Sequence, residues 1–67
     1  MRKTNLTNRE TKILELIKQG KTNKEIGGEL NLAEQTIKNE ITRILRKLNA
    51  KNRVQALMMA IRDGYIK

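Results

Sequence analysis

Three short stretches fix where this chain can start a helix. Thr7-Asn8-Arg9-Glu10 and Thr22-Asn23-Lys24-Glu25 each place a threonine three residues before a glutamate, and Asn52-Arg53-Val54-Gln55 repeats the spacing with two amides. In such a capping box the first side chain accepts from the third backbone N–H of the helix, while the acid or amide reaches back to the first residue's own N–H. Downstream of each box, apolar residues recur at helical spacing, and no segment keeps the alternation of a strand. The class is therefore all-α, with four helices expected over about 8–19, 23–30, 34–48 and 53–63.

The expected inward stripes are Ile13, Leu14, Leu16 and Ile17; Ile26 and Leu30; Ile37, Ile41, Ile44, Leu45 and Leu48; and Val54, Leu57, Met58 and Ile61. Gly20 is placed to end the first helix in the left-handed conformation, and Gly64 follows the last. Asn31-Leu32-Ala33 breaks the rhythm and reads as a tight turn. Residues 1–6 read as a flexible N-terminal segment or linker, and 7–67 as one domain.

Lys and Arg total 15 against 7 acidic residues, a formal charge of +8, so the partner expected is an anion. Nucleic acid, anionic membrane and an acidic protein compete for that role, beside a surface charged for solubility alone. Ser, His, Cys, Trp, Phe and Pro are all absent. That excludes nucleophilic triads, cysteine chemistry, histidine acid–base work and disulfide or zinc staples. Glu25 and Glu29 share a helix face but lack the pocket that would make them a metal site, and read as solvated helix charges. No enzyme activity, cofactor, metal or small-molecule ligand is expected. No run approaches a membrane span, the start MRKTNLTNRE lacks a signal peptide's apolar stretch, and the basic face has no aromatic anchor. The expected location is the cytoplasm, with no membrane partner.

Two helices joined by a three-residue turn are the organisation of a helix-turn-helix, whose second helix enters the DNA major groove. Around the helix expected at 34–48, Gln35, Asn39, Thr42, Arg43 and Arg46 fall opposite the isoleucine and leucine stripe, with Lys38 and Lys47 flanking. Amide, hydroxyl and cationic groups are the types that read base edges and hold phosphates. An ordinary solvated face, with basic residues complementing the helix dipole, would carry many of the same residues.

LTNRETKILELIKQGKTNKEI, then TIKNEI and LRKLNAKNRVQAL, resemble in order the LuxR-type (GerE-like) helix-turn-helix domain that ends many bacterial response regulators of the NarL/FixJ type. The resemblance covers residues 6–66. It implies promoter DNA binding, a homodimer on DNA through the fourth helix, and RNA polymerase as a further candidate partner. It places Lys38, Asn39 and Thr42 at base-reading positions and Asn23, Lys24, Gln35, Thr36, Arg46 and Lys47 at the DNA backbone, with Arg43 joining them from the basic face. Ala56 and Met59 are the expected dimer contact. An output domain excised from a longer regulator is expected rather than a stand-alone one.

The chain departs from the family pattern in three places, the last of them the pair Gly27 and Gly28. Ala33 stands where a serine or threonine usually caps the reading helix. Glu40 replaces a common histidine, and is expected to pair with Arg43. Gly27 stands where alanine is usual, keeping the close crossing of the two short helices, whereas Gly28 has no such use and softens its helix at about 0.5–1 kcal/mol. The last DNA-binding region of a sigma factor has a similar opening, but the fourth helix, KNRVQALMMAIRDGYI, favours the LuxR type.

Overall fold

The computed structural model describes residues 6–67. Among them are four helices and no strand: α1 (Asn8–Lys18), α2 (Asn23–Leu30), α3 (Glu34–Leu48) and α4 (Arg53–Arg62). Both threonine boxes close as expected. Thr7 Oγ1 accepts from Glu10 N at 3.1 Å and Glu10 Oε1 from Thr7 N at 2.8 Å, with the same distances at Thr22 and Glu25. At α4, Asn52 Oδ1 accepts from Gln55 N at 2.8 Å, but the return bond goes one residue further back, from Lys51 N to Gln55 Oε1 at 2.6 Å. Ala33 precedes α3 with extended backbone and no side-chain cap, leaving Glu34 in the first turn as its electrostatic support.

The helix ends use two residue types. Gly20 (φ 86°) and Gly64 (φ 82°) follow α1 and α4 in the left-handed region, and each donates to the carbonyl three residues before it. Asn31 (φ 58°) and Asn49 (φ 55°) end α2 and α3, asparagine being the side chain that tolerates this conformation best after glycine. Gln19 and Asp63 are caps rather than helical residues, so α1 and α4 stop one residue before the expected ends.

α3 packs against all three other helices. Ile37, Ile41, Ile44 and Leu48 on its inner side meet Ile13, Leu14 and Leu16 of α1 and Ile26 of α2 in one buried cluster. The expected stripe on α4 is corrected. Val54, Met58 and Ile61 are exposed, and the core-facing residues are Ala56 and Ala60, with Leu57 partly covered. Small residues let α4 lie close to the core, turning its larger apolar residues toward solvent. Ile66 was not anticipated in the core, yet it is buried after the turn at Gly64, where Tyr65 N donates to Ala60 O at 2.9 Å. Leu6 also packs on the core, so the domain takes in this residue; residues 1–5 of the expected N-terminal segment lie outside the described residues.

Gly27 is buried where α2 meets the turn into α3. A Cβ there would lie 2.5 Å from the Leu32 carbonyl oxygen, whereas one on Gly28 would meet nothing within 4 Å.

Candidate nucleic-acid interface

The isoleucines that bury one side of α3 fix which side is left outside. Gln35, Lys38, Asn39, Thr42, Arg43 and Arg46 are all exposed along it, while Thr36 is half-buried. Gln35 Nε2 donates to Asn39 Oδ1 at 3.1 Å, which holds two amides together one turn apart. Thr42 Oγ1 donates to Lys38 O at 3.0 Å, so its hydroxyl proton is engaged while its lone pairs can still accept. The face thus offers ammonium, amide, hydroxyl and guanidinium groups on one rigid element.

Glu40 puts a carboxylate beside this face, and two guanidiniums answer it. Arg9 Nη1 and Arg43 Nη1 each lie 3.8 Å from Glu40 Oε2. The Arg43 pairing was expected; Arg9, held near the start of α1 by the Thr7 box, was not. One carboxylate shared by two cations leaves that part of the surface positive.

Lys47 sits differently from the other cations. Its Nζ lies 2.9 Å from Oε1 of Glu10, a carboxylate only 2% exposed, and ties the end of α3 to α1. Burial pushes the Glu10 carboxyl up, but the Thr7 N–H and Lys47 together outweigh burial and hold it below the usual range. The sequence marks Glu10 as a cap residue, and nothing in its spacing points to a lysine 37 positions on.

Lys24 is exposed at the start of α2, and Asn23 beside it is half-buried. Arg53 Nη2 reaches from α4 to donate to Asn23 Oδ1 at 2.6 Å. Glu25 is engaged by its cap: the Thr22 N–H and then the Thr22 hydroxyl hold its carboxyl low. Glu29 pairs with Lys21 at 3.8 Å. The expected pair contact on α4 is corrected in part. Ala56 is 1% exposed and belongs to the core, Met59 is half-buried, and the outward apolar residues are Val54, Met58 and Ile61.

A family profile described as bacterial regulatory proteins, luxR family, matches residues 4–60. The transcriptional regulatory protein LiaR of Bacillus subtilis (strain 168) is 52% identical over 61 residues, covering 91% of this chain and 29% of that protein. The spore germination protein GerE of the same organism is 42% identical over 62 residues, covering 92% of this chain and 84% of GerE. A solved structure of the transcription factor GerE matches with a TM-score of 0.90 at 32% identity, covering 92% of each chain. The chain spans 26–31% of the length of three transcriptional regulatory proteins it matches. Among the described residues no helix is long and apolar enough to cross a membrane.

Proposed function

Because the chain belongs to the luxR family of bacterial regulatory proteins, we propose that it regulates transcription by sequence-specific binding of double-stranded promoter DNA, with α3 in the major groove. The observation that carries this reading is the exposed face of α3, where Lys38, Asn39 and Thr42 lie among further amides and guanidiniums over a buried isoleucine stripe. Lys38 can donate to guanine O6 or N7, Asn39 can pair with adenine N6 and N7, and Thr42 can accept from a base amino group. Pairing with adenine uses Asn39 Oδ1, whose second lone pair can accept while the Gln35 amide donates to the first.

Lys24, Asn23, Gln35, Thr36, Arg43 and Arg46 are assigned to the DNA backbone, and Arg9 joins them because it shares Glu40 with Arg43. Lys47 is reassigned from phosphate to the Glu10 pairing that anchors α3. The chain acts by binding rather than catalysis, in the cytoplasm, as the DNA-binding part of a longer regulator or alone. A homodimer on two half-sites forms through the outer face of α4, and RNA polymerase is the further partner.

Selection of bound sites from a random DNA pool, followed by titration across salt, tests this. Each neutralised phosphate contributes about −0.9 to the slope of log affinity against log salt, so a slope on the order of −4 to −8 is expected. A flat response, or tighter binding to anionic vesicles or polyglutamate than to DNA, would overturn it.

A further inference from the structure

Arg53 opens α4, yet its side chain is spent on another helix. Its Nη2 donates to Oδ1 of Asn23, the first residue of α2 and 30 positions away, at 2.6 Å, and both residues are half-buried. Glu34 lines the same depression, but the guanidinium hydrogen-bonds the amide instead.

A guanidinium can only donate, so it dictates which end of the amide faces it. Oδ1 turns toward Arg53, and Nδ2 is left on the far side with no hydrogen bond to a described residue. An unrestrained asparagine can rotate to present either end. Presented to a phosphate, the carbonyl end finds no donor, and only the Nδ2 end can bond. The site lies in the first turn of α2, whose positive end favours an anion and already engages the Glu25 carboxylate through the Thr22 cap.

We infer that Arg53 is a positioning residue for DNA binding, which locks the Asn23 amide with Nδ2 available to a backbone phosphate. The inference rests on the assignment of Asn23 to the DNA backbone made above. It gives α4 a part in binding a single half-site that is independent of any pairing between copies.

A double-mutant cycle on DNA affinity tests it, with Asn23→Ala, Arg53→Met, which keeps most of the aliphatic stem, and the two combined. Each single variant is expected to bind about 3- to 10-fold more weakly, alike on selected and random DNA. The double variant should bind no more weakly than Asn23→Ala alone. Arg53→Lys, which retains a donor, should recover most of the loss, and melting curves establish that each protein is folded at the titration temperature. If Arg53→Met weakens binding further in the Asn23→Ala background and lowers the salt slope by about 0.9, Arg53 holds a phosphate itself and the inference fails. If Asn23→Ala weakens binding and Arg53→Met does not, the phosphate contact stands and the positioning role alone falls. If Asn23→Ala binds like the parent, the backbone assignment of Asn23 fails and takes the inference with it.

Discussion

A methyl group added at Gly27 would sit 2.5 Å from the Leu32 carbonyl oxygen, a backbone atom with little room to move, whereas at Gly28 the same group would meet nothing within 4 Å. Gly27→Ala should therefore destabilise by about 1–3 kcal/mol through overpacking. Gly28→Ala should stabilise by about 0.4–1 kcal/mol through reduced unfolded-state freedom and better helix propensity. Denaturant melts of both variants check the signs, and a stabilised Gly27→Ala would show that the turn yields. The sequence distinguished the two glycines, but expected a helix crossing at Gly27 in which alanine is usual. The close approach is there, but its nearest atom is the Leu32 carbonyl of the turn, with the first backbone nitrogen of α3 at 3.6 Å, and the path of that turn no side-chain pattern reveals. On α3, Lys38→Ala should lose about 1–3 kcal/mol on a selected site and little on random DNA, while Arg46→Ala should weaken both alike. Equal losses on both DNAs for both variants would end the division between base and backbone contacts.

At the level of the helices, the Glu10–Lys47 pair is the shorter of two ion pairs between α1 and α3, Arg9–Glu40 being the other. The Glu10 carboxyl is held below its ordinary value of 4.5, so its stabilising contribution is fully present above that pH and is lost as pH falls through the lower folded value. Acid melts should show the parent losing stability more steeply below about pH 4.5 than Glu10→Gln does; parallel curves would mean that the Thr7 N–H and Lys47 together add nothing to the ionised form. Helix starts were legible because a capping box is local, its two members sitting one turn apart. The inner face of α4 was not. Val54, Met58 and Ile61 recur at the same helical period as Ala56 and Ala60, and periodicity weighted by size picks the larger set. Which stripe turns inward depends on how closely α4 can approach α3, and that is settled only when the helices pack.

For the molecule as a whole, the outer side of α4 leaves Val54 and Met58 about two-thirds exposed, with Ile61 at 41% beside them. Apolar residues set together on one helix face fit a second copy better than water does. Met58→Glu should leave binding to one half-site unchanged and abolish cooperative occupancy of two, with the free protein a monomer in dilute solution. Unchanged cooperativity in gel-shift titrations would place the contact elsewhere. The architecture and the exposed polar face of α3 were legible from helical period and resemblance. The pairings Glu10–Lys47 and Asn23–Arg53 were not, since nothing local tells a charged side chain which distant partner packing will bring to it. Ile66, buried at 6% exposure, is in chain order the last piece of the core. A ribosome delivers the chain from its N-terminus, so α1, α2 and α3 emerge while one wall of their shared interior, Ala56, Ala60 and Ile66, is still being made. Until residue 66 is clear, the isoleucines and leucines of those three helices can cover one another but lack this last wall, and a translational stall shortly before that point would leave that side of them uncovered.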